Sequence, residues 1–279
     1  MSEPIRVLFV NSEIYPYSPE SDIAIVGRFL PQSLQERGRE IRSFMPRYGT
    51  INERRHQLHE VIRLSGMNII IEDIDRPLII KVASISSARM QVYFIDNDDY
   101  FQRKAISNDA DGNFFEDNDE RAMFFARGVL ETVKKLRWKP DIVHCQGWIS
   151  HIVPLYLKRA YDNDPIFSDS KVILSLYSDE NHNFKGNIAE KLPINGITAS
   201  DVDVIKESDG INIAKLAIRY ADGVIYGSDG IDSRLTDYIT ERNLPTIVSP
   251  EIGIDRKEYI KEYDTFYEQI LHANVTDKE

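Results

Sequence analysis

Short apolar runs alternate with amphipathic segments of helical length along most of this sequence, and this alternation restricts its fold more than any other feature. The run Ile5–Asn11 (IRVLFVN) is apolar at nearly every position instead of at every second one. Continuous runs of this kind are typical of parallel strands that are covered on both faces. Helical patterns of about 10–15 residues between such runs imply βαβ crossovers. The sequence therefore predicts an α/β fold with a doubly wound, Rossmann-like parallel sheet.

The predicted elements follow one another regularly outside one segment. The further predicted strands are Glu40–Met45, Asp141–Cys145, Lys171–Leu176, Gly223–Tyr226 and Thr246–Val248. The predicted helices cover Asp22–Arg37, Asn118–Leu136, Ile149–Tyr161, Ile211–Tyr220, Ile231–Glu241 and Arg256–Leu271. From about residue 59 to residue 96, runs rich in Val, Ile and Tyr are separated by turn residues, which predicts a β-hairpin insertion. We expect residues 1–279 to form one domain, because no repeat or low-complexity linker interrupts them.

Composition argues against several classes of protein. The net charge of −11 disfavours general binding to nucleic acid, which requires a basic surface. The single cysteine, Cys145, forms no intrachain disulfide and argues against a cysteine metal site. Residues 1–20 lack the pattern of a signal peptide, and no apolar run is long enough to span a membrane. We therefore expect a cytoplasmic protein without nucleic-acid or membrane partners, and we expect no cofactor and no metal.

The loop after the first predicted strand has an unusual composition. In α/β proteins that bind phosphates, this turn carries glycines that let backbone N–H groups approach the ligand. Here the turn contains Pro19, Glu20, Ser21 and Asp22, so it has two acids and no glycine. We interpret it as the cap of the first helix, with Asp22 as the N-cap residue and Gly38 closing the other end.

Several stretches of the chain, taken in order, carry a resemblance to one enzyme family. They are IRVLFVNSEIYPY, LPQSL with FMPRYGTI, FIDNDDYFQR with DNDERAMFFARGVLETV, KPDIVHCQGWISHIVPLYLK, INIAKLAIRYADGVIYGSDG and EIGIDRKEY. The chain resembles the N-terminal half of bacterial glycogen synthases and starch synthases, the family-5 glycosyltransferases with the two-Rossmann-domain GT-B fold. In that family a second Rossmann domain supplies most of the nucleotide-sugar pocket. It would begin about where this chain stops, so we expect it to be absent here.

The resemblance also locates the family's functional positions, and most of them are altered. The family's K-x-G-G-L loop falls on residues 19–23, an acid used for acceptor glucan falls on Ile25, and H-D-W-H falls on residues 146–149, where only Trp148 is kept. A histidine and an asparagine near the reacting sugar fall on residues 177 and 178. The degenerate family positions are Pro19, Ser21, Asp22, Ile25, Gly147, Ile149, Tyr177 and Ser178. The resemblance therefore implies a retained fold with an altered site and no catalytic residue.

A few residues remain as candidates for facing a ligand. They are His144, Trp148, Tyr177, Asp179 and His182. His144 ends a predicted strand, so it either faces a ligand at the carboxyl edge of the sheet or is a hydrogen-bonded core histidine. His144 and His151 could approach each other, but without acids at ligand spacing they make a weak metal site. The loop from Tyr177 to His182 either holds a sugar or an ion or is a solvated surface loop.

Three functional hypotheses follow. The first is a divergent, truncated synthase-like protein without transferase activity of its own, with a glucan- or metabolite-binding or regulatory role. The second is a glucosyltransferase using ADP-glucose or UDP-glucose whose site is completed by a separate chain. The third is an interaction or scaffold protein that keeps only the fold. The implied partners are a glucan or a nucleotide sugar, and a second copy or another protein covering the exposed cleft face.

Overall fold

The computed structural model describes residues 3–178, 182–194, 196–250 and 256–273. The strands are β1 (Arg6–Asn11), β2 (Glu40–Pro46), β3 (His59–Glu60), β4 (Met67–Ile71), β5 (Ile74–Ile85), β6 (Met90–Asp96), β7 (Ile142–Gln146), β8 (Lys171–Leu176), β9 (Gly223–Tyr226) and β10 (Thr246–Val248). The helices are α1 (Asp22–Glu36), α2 (Glu53–His56), α3 (Asp98–Phe101), α4 (Asn118–Leu136), α5 (Val153–Leu155), α6 (Ile188–Lys191), α7 (Gly210–Arg219), α8 (Ser233–Glu241) and α9 (Arg256–His272).

The strands form one sheet in the order β10-β9-β8-β7-β1-β2-β6-β5-β3, with β4 paired to β5. All neighbouring pairs from β10 to β6 are parallel. The predicted doubly wound parallel sheet is confirmed. Strand β1 lies between β2 and β7, so the strand order reverses at β1. Ligands of open α/β sheets bind at the carboxyl ends of the strands beside such a reversal.

The β-rich segment is joined to this sheet more closely than the sequence indicated. Strands β4 and β5 form an antiparallel hairpin, and β5 and β6 are antiparallel as well. Strand β6, however, also pairs in parallel with β2, with Phe44 opposite Tyr93. The insertion therefore extends the main sheet at one edge, and its last strand belongs to the parallel part.

The first helix begins one residue earlier than its predicted cap implied. Ser21 has an extended backbone, and its Oγ accepts a hydrogen bond of 3.1 Å from the backbone N–H of Ala24. Ser21 is therefore the N-cap, and the prediction that Asp22 fills this position was wrong. Asp22 is the first helical residue, where a carboxylate is favoured by the helix dipole. Gly38 follows the helix with a positive φ of 90°, as expected for a closing glycine.

The predicted helix Ile149–Tyr161 is broken into three short pieces. A 3₁₀ turn covers Trp148–Ser150, α5 follows, and a π-helical turn covers Tyr156–Ala160. Pro154 has no N–H to donate to the carbonyl group of Ser150, so a single regular helix across this segment would lose a hydrogen bond. The other long predicted helices agree with the structure to within two residues at either end.

Each face of the sheet is covered by its own hydrophobic cluster. On one face, Val7 and Phe9 pack with α1 and with a row of tyrosines on α9 that includes Tyr263 and Tyr267. On the other face, Leu8 and Val10 belong to a larger cluster that includes residues of α4, α7 and α8. Alternate residues of β1 thus point into both clusters, as its continuous apolar run requires. None of the described helices combines the length and apolarity needed to cross a membrane.

Candidate functional site

The loop between β1 and α1 lies at the carboxyl edge of the sheet and is held by its own backbone. Tyr15 donates its N–H to the carbonyl group of Ala24 at 3.0 Å, so the loop folds back over the first turn of α1. A Cβ on Gly27 would lie 2.5 Å from the carbonyl oxygen of Glu13, so only glycine allows this close approach. The Ser21 cap meanwhile uses an N–H group that a bound phosphate would need.

A cleft of about 300 Å³ opens where β9 and β10 end beside the first turn of α1. We call it the acidic cleft. Its lining residues are Asp22, Tyr226, Gly227, Ser228, Asp229, Val248, Ser249 and Pro250. Both aspartates are exposed to solvent, and no Lys, Arg or His stands among these residues as far as the chain is described. The described lining of the cleft therefore presents two carboxylates and no positively charged side chain.

The two serines of the acidic cleft are held in place by neighbouring groups. The backbone N–H of Ser178 donates to Ser228 Oγ at 2.9 Å. Ser249 Oγ and the hydroxyl group of Tyr263 on α9 are 2.8 Å apart. These contacts connect the cleft to the end of β8 on one side and to the tyrosine row on the other. Each serine hydroxyl therefore has a hydrogen-bond partner within the chain.

Tyr177 closes the floor of this region. Its side chain is 4% exposed. A Cβ added to Gly227 would lie 2.6 Å from two atoms of the Tyr177 ring and 3.0 Å from the carbonyl oxygen of Leu176. The ring thus packs directly on the Gly227 backbone, between the ends of β8 and β9. The tyrosine therefore fills the space at this edge with an aromatic ring.

Residues 147–149 are likewise unsuited to polar contacts with a ligand. Gly147 has φ of 87° and ψ of 159°, a region of backbone conformation that is nearly restricted to glycine. Ile149 is fully buried in the larger hydrophobic cluster, and Trp148 is buried beside it. An aspartate at position 147 would strain this backbone, so the altered position is part of the local fold.

His144 is a core histidine. It is fully buried, with its Nδ1 2.6 Å from the hydroxyl oxygen of Tyr267 and its Nε2 2.7 Å from Ser175 Oγ. Burial lowers the pKa of His144 to about 3, so the imidazole is neutral. Both ring nitrogens are occupied by side chains of this chain. Of the two interpretations left open by the sequence, the structure supports the core one and leaves no nitrogen for a metal shared with His151.

Trp148 and His182 belong to an aromatic cluster. The His182 ring stacks on Phe114 at 4.7 Å between centroids, and Phe114 meets the Trp148 ring edge-on at 4.9 Å. Trp148 is only 3% exposed, so it packs within the protein and offers no open face to a sugar. Asp179, the remaining candidate from the sequence, lies outside the described residues.

Known proteins of similar sequence show which family this chain belongs to. Residues 6–240 match the family model described as the starch synthase catalytic domain. The chain belongs to the starch synthase catalytic domain family. It is 40% identical to the glycogen synthase of Chlorobium limicola over 174 residues, which cover 62% of this chain and 36% of that protein. It is 30% identical to the glycogen synthase of Chlorobium phaeovibrioides over 267 residues, which cover 91% of this chain and 54% of that protein.

The fold agrees with a solved structure of the same starch synthase family. The catalytic domain of Starch Synthase IV from Arabidopsis thaliana, bound to ADP and acarbose, matches with a TM-score of 0.67 and 17% identity. The match covers 88% of this chain and 52% of that chain. This chain thus spans about half the length, or less, of the relatives it matches. The resemblance inferred from the sequence is confirmed as a family relationship and as a GT-B-type fold.

Of the positions interpreted from the sequence as degenerate, Asp22, Tyr177 and Ser178 lie at the acidic cleft or its border. Pro19 is exposed, and Ile25 is half-buried on α1. The residues after β9 and β10, above all Asp229 and Ser249, also line the cleft and were not predicted from the sequence. Polar residues directly after two predicted strands were the signal that could have identified them, since such positions meet at the carboxyl edge.

Proposed function

We propose that this chain is a carbohydrate-binding member of its family that does not transfer glucose by itself. Its ligand is a neutral oligosaccharide, of the glucan class, held in the acidic cleft. The observation that carries this proposal is the charge of the cleft. Asp22 and Asp229 line it, and its described lining residues include no cation.

Glucosyl transfer from a nucleotide sugar leaves a diphosphate, whose developing negative charge must be stabilised. Cations and free N–H groups aimed at the phosphates supply that stabilisation in a site of low polarity. In this chain the corresponding loop offers the Asp22 carboxylate, and Ser21 already occupies an N–H group of the helix. Carboxylates near a diphosphate repel it. Transfer by this chain alone is therefore disfavoured by its own charges.

The same groups suit a neutral sugar. Ionised carboxylates accept hydrogen bonds, and sugar hydroxyl groups donate them. Ser228 and Ser249 add hydroxyl groups to the lining, which can donate or accept hydrogen bonds. Tyr226 supplies a half-buried aromatic side chain and Val248 an aliphatic one that is 63% exposed, and both suit the C–H face of a sugar ring. Relatives that are named glycogen synthase support a glucan as the class of oligosaccharide.

Calorimetric titration tests the proposal with maltoheptaose, ADP and ADP-glucose as separate ligands. We expect saturable binding of maltoheptaose and no measurable binding of ADP. The variant Asp229→Asn should weaken maltoheptaose binding by about tenfold, because it removes a charged hydrogen-bond acceptor. Asp237→Asn on α8 is the matched control: it makes the same charge change on an exposed residue outside the cleft and should leave the affinity unchanged.

The outcomes separate the three hypotheses. Steady transfer of glucose from ADP-glucose by this chain alone would contradict the proposal. Transfer that starts only when a second protein is added would instead support a site completed by a separate chain, with cations from that chain facing Asp22 and Asp229. Absence of any maltoheptaose binding would overturn the carbohydrate role and favour a scaffold that keeps the fold.

A further inference from the structure

A second cleft lies on the other side of the β1–α1 loop. Its volume is about 380 Å³. The loop contributes Pro16 and Tyr17, the end of α2 contributes Arg55 and His56, and the segment from Ser84 to Ser87 closes it where β5 ends. We call it the basic cleft. Three segments that are distant in the sequence meet here, and none of them belongs to the acidic cleft.

Each polar side chain that lines the basic cleft can donate a hydrogen bond. Arg55 is an exposed guanidinium at its mouth. The His56 ring meets the buried Tyr17 ring edge-on, with 5.1 Å between centroids. Burial raises the pKa of Tyr17 to about 12, so its phenol keeps its proton at neutral pH. The serine hydroxyls and the Gln57 amide complete a set of groups that can donate to an anion.

A further positive charge lies behind the serines. Arg28 on α1 is 5% exposed, and it donates to Gln32 Oε1 at 2.7 Å and to Ser87 Oγ at 3.2 Å. Because Ser87 Oγ accepts this hydrogen bond, its own proton is left to be donated elsewhere. Ser87 is exposed on the cleft side. The guanidinium of Arg28 thus orients the Ser87 hydroxyl so that it can donate into the cleft.

The basic cleft is not suited to binding cations. Its described lining residues include no Asp or Glu. The acid on α2, Glu53, is directed to Lys81, with 2.7 Å between the carboxylate oxygen and Nζ, and to Arg47 at 3.4 Å. The whole chain carries a net charge of −11, whereas this cleft is lined by arginine, histidine and hydroxyl groups.

We propose that the basic cleft binds a phosphate group, with Arg55 as its main charged contact and Tyr17, His56 and Ser87 as hydrogen-bond donors. The phosphate would be free orthophosphate or the phosphate group of a small sugar ester. This site is distinct from the proposed oligosaccharide site, and its occupancy does not depend on that proposal being correct. Because Pro16 and Tyr17 belong to the loop that also leads into the first turn of α1, a bound phosphate would contact the segment that borders both clefts.

Titrations with inorganic phosphate and with glucose 6-phosphate, followed by calorimetry and by backbone amide NMR, test the proposal. Saturable binding at low millimolar concentration is expected, with shifts concentrated at residues 16–17, 55–57 and 84–87. Tighter binding of inorganic phosphate would identify free orthophosphate as the ligand, and tighter binding of glucose 6-phosphate would identify a sugar ester. Uncharged glucose is the control and should give no shifts in these segments.

Two neighbouring arginines supply a matched pair of variants. Arg55→Ala should weaken phosphate binding by about tenfold, since a charge-assisted contact is lost. Arg54→Ala removes the same charge from an exposed residue on the same helix that does not line the cleft, and should change the affinity less than twofold. Equal losses in both variants, or no saturable binding of either phosphate ligand, would overturn the proposal. Ser87→Ala should weaken binding without changing the far-ultraviolet circular dichroism spectrum.

Discussion

The acidic and basic clefts lie on opposite sides of one loop and carry opposite charges. Asp22 and Asp229 line the first, at the sheet edge where related α/β folds bind phosphates. Arg55 and His56 line the second, which lies toward the β-hairpin insertion. The difference teaches that clefts of opposite charge can form on the two sides of one loop within a single fold. If both proposals hold, the side with Asp22 repels phosphate and the side with Arg55 binds it.

The largest expected effect concerns the floor beside the acidic cleft. Gly227→Ala would place a Cβ 2.6 Å from the Tyr177 ring and 3.0 Å from the Leu176 carbonyl oxygen, so the packed ring must move. We expect the free energy of unfolding to fall by about 1–3 kcal/mol, the usual range for overpacking. Chemical denaturation measures it. In the Tyr177→Ala background the same substitution should cost clearly less, and an equal cost in both backgrounds would contradict the packing described.

Reversing the charge of the basic cleft is the next largest change. Arg55→Glu replaces a cation by an anion at the mouth of the cleft. Phosphate affinity should therefore fall further than in Arg55→Ala, for which a loss of about tenfold is expected. Maltoheptaose affinity should stay within twofold of the wild-type value, because the acidic cleft is untouched. Arg54→Glu is the charge-matched control. A parallel loss of both ligands would show that the two clefts are not independent sites.

A smaller effect is expected from ionic strength, which should change ligand affinity in one cleft and not in the other. Raising it from about 0.01 M to 0.15 M shortens the Debye length from about 30 Å to 8 Å, which weakens attraction between exposed charges. Phosphate binding should weaken a few-fold over this range, whereas binding of the neutral maltoheptaose should hardly change. Calorimetry at several concentrations of sodium chloride, whose chloride ion competes only weakly, measures both. Equal salt dependence for the two ligands would contradict the assignment of a charged and a neutral ligand.

The sequence predicted the strands and helices that surround the two clefts better than it predicted the clefts themselves. The continuous apolar run of β1 and the amphipathic pattern of α4 depend on local periodicity, so their positions followed directly from the sequence. Asp22 was identified because the family pattern has a glycine there. Asp229 was missed because its proximity to Asp22 depends on how β9 lies beside α1, which no local pattern encodes.

The basic cleft was beyond prediction for a related reason. Arg55 and His56 lie on the four-residue helix α2, which is too short to show a periodic pattern. Their neighbours Tyr17 and Ser87 come from other parts of the chain. The role of His144 also depended on tertiary structure, because its partner Tyr267 lies on α9 at the opposite end of the sequence. The sequence allowed both a ligand-facing and a core histidine, and the contacts with Tyr267 and Ser175 show that it belongs to the core.

The smallest expected effect is a change in the titration of His56. Burial and the neighbouring Arg55 lower the pKa of this imidazole, and the Tyr17 ring packs against it. A bound tetrahedral dianion favours the imidazolium, so the pKa of His56 should rise when the basic cleft is filled. By linkage, anion affinity should then increase as the pH falls through the interval between the free and the bound pKa.

Sulfate is the suitable probe, because it does not titrate near neutral pH as phosphate does. NMR titration of the His56 ring with and without sulfate measures the rise, which should shrink in Arg55→Ala and persist in Arg54→Ala. An unchanged His56 titration at saturating sulfate would mean that the anion contacts Arg55 alone and that the imidazole does not take part in the site.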